Sequence, residues 1–287
     1  MSPLADRLVG RAEELGALDG ALAGADEGRS VAIELVGEPG IGKTRLLAEL
    51  AARTDRGGRL VLSGSASELE RDLPFSVFVD ALDEYLRGLD PGLLADLDAD
   101  VRTELAHVFP SLTALAGADQ PTLQHERYRT HRAVRALLEH LAARRTLVLV
   151  LDDVHWADPA SVELLGALLR RPPAAAVLMT LALRPHPMPD RLARALERAL
   201  RTGALIRIEL DALTQLEARD LLGDAVDGSR AAVLYEESGG NPFYLEQLAR
   251  SLDSGAPEDR ALETSLAGVE VPSGVAASLN QELAMLS

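Results

Sequence analysis

The chain contains no cysteine, which excludes disulfides, thiol nucleophiles and thiolate metal sites together. Aromatic residues make up only 3%, too few for the stacking platforms that grip single-stranded nucleic acid. No stretch approaches the roughly 18 consecutive apolar residues of a membrane span. The N-terminal MSPLADRLVGRAEEL has no apolar run of the signal-peptide kind. A cytoplasmic location with no membrane partner is expected. Positive charge is also in short supply: 45 acidic residues against 29 basic ones leave a formal charge of −16 and a pI near 4.8. Phosphate-backbone binding by the surface as a whole is therefore electrostatically opposed.

Lysine is the scarcest of the charged residues. Lys43 is the only one in 287 residues, and the other 28 basic residues are arginine. A GC-rich genome trades lysine for arginine wherever the two are equivalent, so one lysine is either a chance survivor of that bias or the mark of a place where arginine does not fit. An ammonium is a compact point charge that enters a ring of backbone N–H groups, whereas a guanidinium is a broad planar fork.

At 47% hydrophobic and 26% charged, the composition is that of a globular protein long enough for one large domain or two smaller ones. Five short apolar runs read as strands: Val31–Val36, Arg59–Ser65, Thr146–Asp153, Ala176–Arg184 and Ala204–Leu210. Helical patterns separate them, which predicts an α/β fold with a five-stranded parallel sheet covered on both faces. A helical insertion is expected at about 75–122. Its acids Asp80, Asp83, Glu84, Asp90, Asp96, Asp98 and Asp100 are expected to line a solvated face. Further on, Val134, Leu137, Leu138 and Leu141 form one stripe, with Arg129, Arg132 and Arg135 mostly opposite. Arg127 falls on the apolar side, where a structural ion pair is favoured over a phosphate contact. Beyond residue 210 the strand pattern stops, and three helices make a small helical domain over 211–253. A linker at 254–271 follows. A new amphipathic helix over 272–287 has no mate for its stripe, so the chain is expected to be the front portion of a longer polypeptide.

GEPGIGKT, Gly37 to Thr44, satisfies G-x-x-x-x-G-K-[ST] at every fixed position and sits between a strand and a helix. Gly37, Gly40 and Gly42 let the backbone wrap round a phosphate, with Glu38, Pro39, Ile41 and Arg45 completing the binding stretch. Lys43 is expected on the β and γ phosphates and Thr44 on Mg²⁺. At the end of LVLVLDD, Asp152 is the expected metal partner and Asp153 the residue that polarises the attacking water. Arg184 ends the fourth strand at the same sheet edge and is expected to sense the terminal phosphate, with neutralisation of Asp190 as the bland alternative. Trp156 is as readily a packing residue as a ligand contact. His155 lacks histidine companions for a metal site.

Together LVGRAEEL (Leu8–Leu15), GEPGIGKTRLL, LVLVLDDVHWAD, LALRP and ESGGNPFYLEQL resemble the nucleotide-binding region of the large ATP-binding LuxR-type regulators, the MalT-like branch of the STAND P-loop ATPases. Single motifs are shared with AAA+ proteins. The resemblance implies that Val9, Gly10 and Arg11 lie near adenine and that Pro242 closes over the base. It also implies a helical lid and, at 272–287, the start of a winged-helix segment. Family members are switches in which ADP holds a closed form and ATP with an inducer permits self-association. DNA is then bound only by a C-terminal domain absent from this sequence.

The leading expectation is an ATP-binding, slowly hydrolysing Mg²⁺-dependent switch module of such a regulator, with ATP or ADP as ligand. One alternative is an AAA+-like ring-forming motor, with Arg198 or Arg201 as a finger supplied to a neighbour. Another is a nucleotide-holding scaffold fused to a kinase or cyclase.

Overall fold

A computed structural model describes residues 8–115, 123–223 and 226–253. The expected linker and winged-helix start lie outside these residues, as does the side chain of Arg127.

The five strands are β1 (Ser30–Val36), β2 (Leu60–Ser65), β3 (Leu147–Asp152), β4 (Val177–Leu183) and β5 (Ile206–Glu209). All pairings are parallel, in the order β2-β3-β4-β1-β5. Helix α1 (Ala12–Asp26) precedes β1, and the helices between the strands are α2 (Lys43–Arg56), α3 (Ser76–Arg87), α4 (Ala99–Ala106), α5 (Leu123–Ala142), α6 (Pro159–Arg170) and α7 (Asp190–Arg201). Burial follows position in the sheet. All seven residues of the central β4 are buried, and so are the first five of β3, because helices cover both faces. The edge strands β2 and β5 carry exposed positions instead. Each fully buried leucine of this core contributes about 1.5–3 kcal/mol.

Two details show how the sheet accommodates its neighbours. A Cβ on Gly64 of β2 would meet the Val77 carbonyl at 2.5 Å and the Ala81 nitrogen at 2.7 Å, so glycine lets α3 approach the strand closely. Glu34, fully buried in β1, is tolerated because Arg207 of β5 pairs with one of its oxygens. Burial still raises the pKa of Glu34 despite that guanidinium.

The α5 stripe packs as expected, with Val134, Leu137, Leu138 and Leu141 all buried. Asp83 departs from its expected solvated face. It is buried at 6% exposure, where it accepts from the Ser111 amide at 2.8 Å and pairs with Arg87 at 2.9 Å. The acid run looked uniformly polar, but position 83 falls on the inner face of α3, where it fastens the 3₁₀ turn Pro110–Leu115.

The chain divides into two compact units. The larger takes in Glu13–Glu38 and Lys43–Leu210, and holds the sheet. The smaller contains the described residues of Met1–Ala12, Pro39–Gly42 and Asp211–Ser287. It is built on α8 (Gln215–Leu222), α9 (Gly228–Ser238) and α10 (Pro242–Asp253). Leu213, Leu221, Leu222, Leu234 and Leu245 form its core, and Val9 packs against that cluster. Thr214 and Glu217 cap α8 reciprocally. At α9 the cap is Asp227, which accepts from the amides of Ser229 and Arg230.

Candidate functional site

The β1 strand delivers Gly37 to the carboxyl edge of the sheet. The amide of Gly37 is already spent, donating to the Leu183 carbonyl at 3.4 Å as an extension of the β1–β4 ladder. At the other end of the loop Lys43 opens α2, only 6% exposed. Its ammonium donates to the carbonyls of Gly37 (2.6 Å) and Glu38 (2.9 Å). Burial lowers the Lys43 pKa, Arg184 lowers it further, and the carboxylates of Asp153, Asp152 and Glu38 oppose the shift. A compact ammonium thus sits among the loop's own carbonyls.

Next to it, Thr44 Oγ1 donates to Asp152 Oδ2 at 2.6 Å, joining the first turn of α2 to the end of β3. A cavity of about 300 Å³ opens beside the pair, lined also by Ser63, Ser65 and Asp80. A hydroxyl and a carboxylate are the hard oxygen donors that Mg²⁺ takes. No group of three acidic or histidine ligands stands ready among the described residues. An ion held by Thr44 and Asp152 would therefore draw its remaining oxygens from water and from a phosphate ligand, the usual habit of Mg²⁺.

Asp153 leaves the strand at once, with φ 49° and ψ 35° in the left-handed region. Aspartate tolerates that region better than most residues. The turn is supported by the Asp153 amide, which donates to Asp152 Oδ1 at 2.8 Å. Burial raises the Asp153 pKa, the neighbouring Asp152 charge adds to the rise, and Arg184 and Lys43 counter it. A carboxylate shifted upward is a better proton acceptor than an ordinary one.

Arg184 follows β4 directly, half-buried, and its charge reaches Lys43, Asp153 and His155. The bland alternative for this residue does not hold. The partner of Asp190 is Arg194, at 3.8 Å on the same helix, and Arg184 makes no ion pair among the described residues.

Beyond the turn, His155 is 1% exposed and Trp156 8% exposed, with the Arg71 guanidinium 4.4 Å from the indole centroid. Asp158 caps α6 through the amides of Ala160 and Ser161 and also accepts from Phe75 N, Ser76 N and Ser76 Oγ.

The middle of the loop belongs to the smaller unit. The amides of Gly40, Ile41 and Gly42 donate to no group among the described residues, as an anion cradle requires. Arg11, expected near adenine, is 6% exposed and donates to the carbonyls of Ile41 (3.0 Å) and Asp211 (2.8 Å). Gly10 has φ +68°, and a Cβ there would lie 2.7 Å from the Glu217 carboxyl carbon. Pro242 begins α10, but the neighbouring Asn241 makes the loop contact: its Nδ2 donates to the Pro39 carbonyl at 2.9 Å. The Phe243 amide donates to the Gly40 carbonyl at 3.3 Å. The sequence motif points to the proline of GNP, and the asparagine beside it is the residue that binds loop backbone.

Comparison with known proteins adds a family. Residues 7–181 match the family described as AAA ATPase domain. An uncharacterized protein of Rhizobium meliloti (strain 1021) is 27% identical, over 88% of this chain and 26% of its own length. Three solved structures share the fold. Cdc6p from Pyrobaculum aerophilum has TM-score 0.55 at 17% identity, covering 88% of this chain and 64% of that one. Drosophila ORC bound to DNA has TM-score 0.52 at 14% identity, with 89% and 57% covered. ORC1 of Aeropyrum pernix in complex with DNA has TM-score 0.50 at 18% identity, with 98% and 67% covered. The chain thus spans about a quarter of the curated relative it matches.

Proposed function

The chain belongs to the AAA ATPase domain family, and from that premise we propose that it is a Mg²⁺-dependent P-loop ATPase acting through self-association. The observation that carries this reading is the 2.6 Å contact of Thr44 with Asp152, directly after the buried Lys43. Thr44 and Asp152 would hold Mg²⁺, which supplies charge neutralisation at the phosphates. Lys43 binds the β and γ phosphates and Arg184 senses the terminal one. Asp153 accepts the proton of the attacking water, and its upward pKa shift supports that role. Gly37, Glu38, Pro39, Gly40, Ile41, Gly42 and Arg45 complete the phosphate stretch, and Val9, Gly10, Arg11 and Pro242 are assigned to the base. Self-association is supported by Arg198 and Arg201, exposed in the last turn of α7 and in no ion pair among the described residues, each suited to serve as a finger for a neighbour's phosphate.

A second reading is favoured by the motif set that runs from Leu8 to Leu248 and resembles the LuxR-type regulators. In it the module is a slow switch, held closed by ADP, and DNA is bound by a segment beyond this sequence.

The decisive experiment titrates the chain with ATP and ADP, with and without Mg²⁺, following Trp156 emission, molecular mass and phosphate release. The ATPase reading expects binding that Lys43→Ala abolishes; no response to either nucleotide refutes it. Turnover that rises with protein concentration and falls on Arg198→Ala or Arg201→Ala supports the ring-forming ATPase. Slow turnover independent of concentration supports the switch.

A further inference from the structure

His155 is not used by the chemistry proposed above. It is the middle residue of the 3₁₀ turn Val154–Trp156, 1% exposed, and neither ring nitrogen has a hydrogen-bond partner among the described residues. Leaving a buried polar group unpaired costs about 1–3 kcal/mol, so an imidazole with both nitrogens unpaired calls for a reason. One lies close by. Its Nδ1 is 3.8 Å from Asp153 Oδ1, about 1 Å beyond hydrogen-bond length.

The imidazole is the fixed member of this pair. The turn that carries it is closed by Trp156 N–H donating to the Asp153 carbonyl (2.8 Å) and Ala157 N–H donating to the Val154 carbonyl (3.0 Å). The ring packs against Trp156 with centroids 5.1 Å apart. The Asp153 side chain, 37% exposed, accepts no hydrogen bond from another described residue and is the member able to rotate. Burial, together with the charges of Arg184, Lys43 and Arg71, holds His155 neutral at physiological pH. A neutral imidazole whose Nδ1 faces a carboxylate carries its proton on that nitrogen.

We propose that His155 is the positioning residue of Asp153: with nucleotide in the P-loop, the His155 Nδ1–H donates to one Asp153 oxygen and leaves the other directed at the attacking water. The inference rests on the ATPase reading. Hydrogen bonds of this kind are commonly long in unliganded enzymes and shorten when the site fills. The gain is orientational: a carboxylate held by one oxygen presents a single acceptor instead of sampling rotamers.

The test has two arms on the full chain. In the first, ¹⁵N-histidine-labelled protein is observed by NMR, with His155 assigned through His155→Phe, before and after addition of Mg²⁺ and a non-hydrolysable ATP analogue. A downfield, exchange-protected Nδ1–H signal is expected with the analogue bound, and Asp153→Ala should abolish it. Nucleotide binding with an unchanged His155 signal overturns this proposal alone, whereas absence of binding overturns the ATPase reading with it. In the second arm, His155→Phe keeps the packing on Trp156 and removes the donor. Turnover should fall about 10-fold to 100-fold with nucleotide affinity unchanged. His155→Asn places an amide donor near the Nδ1 position and should restore part of the rate; His155→Gln, which reaches toward Nε2, should not. Native turnover in the Phe variant, or equal recovery by Asn and Gln, overturns the proposal. Should the Phe variant fail to fold, His155→Asn supplies the assignment and the signal of the native chain decides.

Discussion

Asp153 and Asp158 flank one short turn and spend their oxygens in opposite ways. Asp158, 1% exposed, accepts five hydrogen bonds from α6 and from the start of α3, and so ties the two helices together. Asp153 accepts none on its side chain among the described residues, sits in a left-handed backbone, and is pushed toward its protonated form by burial and by Asp152. A carboxylate saturated by hydrogen bonds stabilises structure and has no acceptor site left for a further donor. One that is half-buried and unsaturated costs stability and keeps its reactivity. Residue type alone does not separate the two; the count of satisfied lone pairs does.

That contrast breaks most visibly at Asp153 itself. Asp153→Asn should lower ATP turnover by about 10²–10⁴-fold while nucleotide still binds, as read by phosphate release beside a binding titration. Surviving turnover would show that Asp153 does not activate water.

His155 is the next test, because its pKa is lowered to about 3 by burial and then by Arg184, Lys43 and Arg71. The unfolded chain takes up a proton below about pH 6.5 that the folded chain refuses, so stability should fall as pH drops from about 6.5 to about 3. The loss is on the order of 4 kcal/mol. Urea midpoints measured across that range should show His155→Phe losing less than the native chain.

At Asp158 the expected effect moves to folding. Asp158→Ala removes a helix cap and strands buried amides, at a cost of about 2–4 kcal/mol. Denaturation curves would check this, and a variant as stable as the native chain would erase the distinction between the two acids.

The smallest effect has the opposite sign. The folded-state pKa of Asp153 is raised, so its ionised form penalises folding increasingly as pH rises from 3.8 through the folded value. Asp153→Asn should therefore gain stability at neutral pH and none below pH 3.8, by less than about 1 kcal/mol because the side chain is partly exposed. Differential scanning at two pH values separates that gain from zero.

The strands were legible because buried parallel strands are short continuous apolar runs stopped by Gly or Asp, and the loop was legible because its glycines have no substitutes. Other features were not. Asp83 lies in an acidic run whose composition suggests a solvated face, and only the packing of α3 turned it inward. Asn241 sits far along the chain from the Pro39 carbonyl it binds, so no local pattern announces the pair. Arg184 stands at the expected sheet edge, but that Asp190 pairs with Arg194 one turn along α7 instead is seen only in the fold.

By itself the sequence determined the alternation of strand and helix, the glycine-rich loop after β1 and the acids at the end of β3, since each is written in local periodicity or in residues with unique backbone freedom. Tertiary structure alone decided the order β2-β3-β4-β1-β5, the contact of Thr44 with Asp152, the saturation of Asp158 and the burial of His155 behind Asp153. Those depend on which distant surfaces exclude water together. Such a choice is made by the summed burial of the whole chain and is carried by no single segment.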